Sequence, residues 1–171
     1  HSFIPASRFT YEMLGAETHW VSSREERELA ALELVSELKD AGEDASYLPL
    51  GVSLPLGALG YVHAYREAIE QFDALGIRPD YIFHSSSSGG TQAGLIAGNR
   101  FFGNTDTKIV GVSPDDPADD IARKVAEIAN GVYRELDISA ETTVDEVTVS
   151  EDFIGEGYDM ETRESKEAAH L

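Results

Sequence analysis

Tyr81-Ile82-Phe83-His84-Ser85-Ser86-Ser87-Ser88-Gly89-Gly90-Thr91-Gln92-Ala93-Gly94 is the stretch whose reading decides the fold. A short apolar run ends in a polar, glycine-bearing loop, and good helix formers from Gln92 to Ala97 follow. The order predicts strand, tight turn and helix N-terminus. Free backbone N–H groups and the positive end of a helix dipole converge at such a turn, which makes it an anion site. Gly89 and Gly90 are expected to let backbone approach a ligand closely, and Ser87, Ser88 and Thr91 to add hydroxyl donors. A serine-rich surface turn that only caps its helix fits the local residues equally well. No Gly-Lys-Ser/Thr follows, so this is not a Walker loop, and the GxGxxG pattern is absent. Ser86 stands where a Gly-x-Ser-x-Gly nucleophile elbow needs its first glycine.

Working outward, strand and helix alternate on both sides. Ser23 and Glu26 form a capping-box pattern ahead of Ala31, Leu34, Val35 and Leu38, so a helix is expected to about Ala41, with Gly42 as its stop. Leu14–Val21 and Ser46–Leu50 read as short strands. Gly51–Gly60 is too apolar for a flexible linker and reads as a packed loop. A second helix is expected over about Ala58–Leu75, with Ala58, Val62, Tyr65, Ile69 and Phe72 on one face and Gly76 ending it. Lys108–Val112 reads as a strand buried on both faces of a parallel sheet. Asp116 as cap and Pro117 at the first turn open a helix carrying Ile121, Val125, Ile128 and Val132. Thr143–Val149 alternates like a strand. These elements define an α/β fold, a three-layer doubly wound and mostly parallel sheet, with ligands at the carboxyl ends of its strands.

Composition narrows the function. The chain has 171 residues, no cysteine and a net charge of -19, from 32 acidic against 13 basic residues. Disulfides, thiolate metal sites and cysteine nucleophiles are excluded. The negative field opposes nucleic acid as a partner. No apolar run reaches membrane-spanning length and no secretory leader pattern is present, so a cytoplasmic protein without membrane contact is expected. Lysine occurs only at Lys39, Lys108, Lys124 and Lys166. An acid-rich, lysine-poor surface suits a high-salt, halophilic cytoplasm, where screening relieves self-repulsion; an ordinary acidic protein is the alternative.

The five histidines show no metal-ligand spacing. His63 reads as structural or exposed, and His84 abuts the loop. Asp115, Asp116, Asp119 and Asp120 read as helix-start carboxylates rather than a hard cation site. Tyr158, between turn residues, is either a surface tyrosine or a ring partner and proton carrier beside a ligand.

The order of four blocks resembles a known family. Leu14-Gly15-Ala16-Glu17, Leu50-Gly51-Val52-Ser53-Leu54-Pro55-Leu56-Gly57-Ala58-Leu59-Gly60-Tyr61-Val62, Ser88-Gly89-Gly90-Thr91-Gln92-Ala93-Gly94-Leu95 and Gly155-Glu156-Gly157-Tyr158 are similar to the D-cysteine desulfhydrase and 1-aminocyclopropane-1-carboxylate deaminase family. Its members are pyridoxal-phosphate enzymes of fold type II, related to the tryptophan synthase β subunit. The resemblance implies a lyase or deaminase acting on a small amino acid, a homodimer, and pyridoxal phosphate as cofactor. It also implies that Ser87, Ser88, Gly89, Gly90 and Thr91 bind the cofactor phosphate and that Tyr158 takes part in the chemistry. The family usually has glycine where Ser87 stands. Residues 1–48 would be part of its small domain and 49–171 part of its large, cofactor-binding domain. The family's cofactor-linking lysine and asparagine loop match nothing in this sequence, and its C-terminal segment would begin near Leu171. The expectation is therefore an internal fragment, inactive alone, with a non-catalytic remnant or anion-binding module as the alternative.

Overall fold

The computed structural model describes residues 6–23, 25–103, 106–157 and 160–170. The chain divides into two compact units, His1–Leu48 and Pro49–Leu171. The first carries helices α1 (Ala6–Met13) and α2 (Glu26–Asp40). Glu26 N–H meets Ser23 Oγ at 3.3 Å, but the Glu26 carboxylate reaches back to Ser22 N–H at 3.1 Å, one residue before the expected cap. Gly42, at φ 89, turns the chain out of α2 as expected. Ala31, Leu34 and Val35 are half-buried, and no residue of α2 is fully buried.

In the second unit, Pro55 opens helix α3 (Pro55–Leu75) and left-handed Gly76 closes it. Strand β1 (Tyr81–Ser85) leads through the serine loop into α4 (Gly90–Phe101). Strand β2 (Lys108–Val112), α5 (Ala118–Glu135), β3 (Thr148–Ser150) and α6 (Arg163–Ala168) follow. The strands form a parallel sheet in the order β1-β2-β3, with Tyr81 opposite Lys108 and Val110 opposite Thr148. This is an α/β fold. Ala93 and Ala97 of α4, Ala58 and Val62 of α3, Ile121, Val125, Ala129 and Val132 of α5, and Val147 beside β3 share one core. The opposite sheet face shows Tyr81 and Phe83, stacked on each other and largely exposed. No described helix is long and apolar enough to cross a membrane.

Small residues set the α3–α4 approach. A Cβ on Gly94 would fall inside 3.0 Å of the Ala58 carbonyl oxygen and 2.5 Å from Tyr61 Cβ; one on Gly98 would sit 2.8 Å from Tyr65 Cβ. These glycines lie four apart, on one face of α4.

Four expectations are corrected. Residues 14–21 and 46–49 form no strand, and Leu50–Val52 is a 3-10 turn. Short apolar runs are ambiguous until a neighbouring strand offers a ladder. Thr143–Glu146 is a capped 3-10 turn, leaving only Thr148–Ser150 as strand. There the Glu146 carboxylate accepts from Thr143 N–H and lies near Arg100, and its pKa is lowered. Asp116 does not cap α5; its carboxylate meets Lys124 Nζ at 3.0 Å. The Ala118 N–H donates instead to Glu151 Oε2 at 2.7 Å, so the cap arrives from the far side of β3.

Candidate functional site

The carboxyl ends of β1, β2 and β3 meet where the serine loop begins. Pairing continues one residue past β1, as Ser86 N–H donates to Val112 O at 2.9 Å. Gly89 then turns left-handed, at φ 87, and α4 starts at Gly90. The N–H groups from Ser87 to Gln92 donate to no backbone carbonyl among the described residues; the first helical bond at this end is Ala93 N–H to Gly89 O, 3.0 Å. Open donors thus gather at the head of a twelve-residue helix, where the dipole is positive.

The two glycines act differently from the expectation that they leave room for a ligand. A Cβ on Gly89 would lie 3.2 Å from Val125 Cγ2 and 3.5 Å from Lys124 Cβ of α5. One on Gly90 would lie 3.0 Å from Ser53 Oγ. Each missing side chain is replaced by protein, so the glycines seat the loop between α5 and the Leu50–Leu54 segment. The N–H groups on the peptide edge keep no backbone partner among the described residues.

Gln92, in the first turn of α4, is fully buried and donates through Nε2 to Thr148 O at 2.8 Å. This bond ties the head of α4 to β3. Among the described residues its Oε1 has no partner, and neither does the hydroxyl of Ser86, which is 2% exposed. Both side chains crowd the α-carbon of Gly111 on β2, which only glycine allows. Buried polar groups without partners are uncommon and mark water or ligand positions. His84 hydrogen-bonds Ser85 O through Nδ1 at 2.8 Å, leaving Nε2 as a buried acceptor without a partner. Desolvation lowers its pKa, against the opposing pull of the Ser85 carbonyl, so burial favours the neutral ring.

The structure brings Ser87, Ser88, Gly89, Gly90 and Thr91 together as one turn. Tyr158 lies outside the described residues. Periodicity gave no role to Ser53, Ser86 or Gln92; the available signals were Ser53 inside the Leu50–Val62 block and Gln92 inside the Ser88–Leu95 block. The stem of Lys124 lies against the loop while its ammonium turns to Asp116. Among the described residues no group of His, Asp and Glu is placed to hold a metal ion.

A parallel sheet with unpaired backbone donors at its carboxyl end is the arrangement at which α/β proteins take anionic ligands. The profile of the pyridoxal-phosphate dependent enzyme family matches residues 2–171, and the chain belongs to that family, whose cofactor is pyridoxal phosphate. The chain is 29% identical over 138 residues to a 1-aminocyclopropane-1-carboxylate deaminase of Bradyrhizobium sp. strain BTAi1, covering 80% of this chain and 40% of the relative. It is 30% identical to the enzyme of the same name from Methylobacterium sp. strain 4-46, with 80% and 41% covered. The crystal structure of an ACC deaminase homologue superposes with a TM-score of 0.77 at 26% identity, covering 90% of this chain and 45% of that one. The chain thus spans about two-fifths of the length of the curated relatives it matches.

The residues present fit the cofactor's phosphate. The loop offers a run of unpaired N–H groups, and the buried Ser86 hydroxyl beside it lacks a partner.

Proposed function

We propose that the whole protein is a pyridoxal-phosphate-dependent lyase or deaminase acting on a small amino acid. The two candidate substrates are 1-aminocyclopropane-1-carboxylate and D-cysteine, each releasing ammonia and an α-keto acid, with sulfide as well from D-cysteine. The observation that carries this reading is the row of open N–H donors from Ser87 to Gln92, in a chain of this family. Ser87, Ser88, Gly89, Gly90 and Thr91 hold the phosphate through backbone N–H groups and hydroxyls. Tyr158 acts beside the ring. The cofactor, when bound, supplies an electron sink for the substrate's α-carbon. Residues 1–48 belong to a small domain and 49–171 to a large one, in a cytoplasmic homodimer.

A second reading concerns this 171-residue stretch by itself. Lys124 and Lys166 pair with Asp116 and Glu161, each at 3.0 Å, and Lys108, at the opposite end of β2, lies over the Tyr81 ring. None offers a free amine to the loop. We expect the stretch alone to bind phosphate or pyridoxal phosphate reversibly, as an anion-binding module, without turnover.

The test assays ammonia, keto acid and sulfide from both amino acids, with the whole gene product and with residues 1–171. Product from the whole and none from the stretch supports both readings. No product from the whole with either substrate overturns the first, and turnover by the stretch overturns the second. Gly89→Val should abolish phosphate-induced amide shifts at the loop, because valine is strained at φ 87 and collides with Val125.

A further inference from the structure

Leu50–Leu54 packs against the loop through contacts that the phosphate reading leaves unexplained. Two successive residues there, Gly51 at φ 68 and Val52 at φ 49, take left-handed backbone. Leu54 N–H then closes on Val52 O at 2.9 Å, with Ser53 at the apex, φ -79 and ψ 75. A β-branched residue at positive φ persists only where its surroundings hold it. Here Val52 lies against Gly57, where a Cβ would sit 3.0 Å from Val52 Cγ1, and Pro55 is held against Gly131 of α5.

The segment delivers the Ser53 hydroxyl to the head of α4. A Cβ on Gly90 would be 3.0 Å from Ser53 Oγ and 3.2 Å from Ser53 Cα. A Cβ on Gly51 would be 2.5 Å from Ser88 Oγ and 3.1 Å from Ser53 Oγ. Two hydroxyls from segments 35 positions apart therefore meet over Gly51, and that of Ser53 also lies against Gly90, whose N–H has no backbone partner among the described residues. Ser53 Oγ is buried and has no hydrogen-bond partner. A buried hydroxyl is seldom left without an acceptor, and none of the described residues supplies one.

We infer that Ser53 is a further phosphate ligand, donating its O–H to an oxygen of the anion held at the head of α4, with Leu50–Leu54 as the second wall of the cradle. The inference rests on the reading of Ser87–Thr91 as the phosphate turn. It reaches a residue outside that turn, and it gives a reason for the left-handed pair at Gly51 and Val52.

Inorganic phosphate titrated into residues 1–171, followed by amide chemical shifts, separates the two claims. In the parent chain, signals of both Ser87–Gln92 and Gly51–Leu54 should move with one dissociation constant. Ser53→Ala removes a single oxygen, and unchanged signals from α5 will show that the fold persists. Its phosphate dissociation constant should rise about tenfold, the low end for a hydrogen bond to a charged group, while Ser87–Gln92 signals still move. An unchanged constant in Ser53→Ala overturns the role of Ser53 and leaves the turn standing. Phosphate that moves no signal from Ser87 to Gln92 in the parent chain overturns the turn, and Ser53 with it.

Discussion

Gly94→Ala and Gly60→Ala are the same chemical change on two helices that touch, and the structure assigns them opposite signs. Both glycines lie inside helices, where alanine is favoured over glycine by about 1 kcal/mol. Around Gly60 nothing lies within 4 Å of the new Cβ, so Gly60→Ala should stabilise by about 1 kcal/mol. At Gly94 the new Cβ meets the Ala58 carbonyl oxygen and, at 2.5 Å, Tyr61 Cβ. Neither neighbour is the far end of a flexible side chain, so no rotamer change relieves the clash and α3 must move away from α4. That movement loosens contacts of Ala58, Ala93 and Ala97, all fully buried. Overpacking of this kind costs about 3 kcal/mol at the upper end of its usual range. Subtracting the propensity gain leaves Gly94→Ala destabilising by about 2 kcal/mol. Urea unfolding of both variants, compared at equal m-value, measures the difference directly. A Gly94→Ala chain as stable as the parent, or shifted the same way as Gly60→Ala, would refute the account of α3–α4 packing.

Two further outcomes follow from charge. The pKa of His84 is lowered by burial, so its neutral form stabilises the fold above the unfolded value of 6.5, and that contribution is lost as pH falls below it. Stability of His84→Gln, followed by urea unfolding from pH 8 to 5, should therefore fall less steeply than that of the parent below pH 6.5; an identical slope would show that His84 takes up its proton equally in the folded and unfolded states, without the lowering that burial causes. The net charge of -19 predicts a melting temperature that climbs markedly between low and molar potassium chloride, because carboxylate repulsion is screened within about 3 Å at 1 M; a flat response would leave the acidic surface without a salt-adaptation role.

Elements that depend on neighbours within one helical turn were legible in the sequence. Gly76 marks the end of α3, which begins at Pro55 inside the stretch expected to be a packed loop, Gly42 turns the chain out of α2, and an apolar run ending in Ser-Ser-Gly-Gly-Thr places β1 and α4. Each signal acts through a fixed φ, a missing N–H or a side-chain period, all local properties of the chain. The serine turn that we propose holds phosphate was legible as a turn for the same reason, since a strand, two glycines and a helix start suffice to describe it.

Contacts between distant segments were decided only by the tertiary structure. Residues 46–49 have strand-like composition but no partner strand, and so form none. The α5 cap comes from Glu151 rather than from the adjacent Asp116, which turns to Lys124. Gly89 and Gly90 read locally as room for a ligand, whereas packing gives that room to Val125 and Ser53. Gln92 reads as one polar helix residue among others until Thr148 O arrives to meet it. Glu151, Val125, Ser53 and Thr148 each lie more than thirty residues along the chain from the residue they meet, beyond the reach of turn chemistry or periodicity, and arrive only with the tertiary fold.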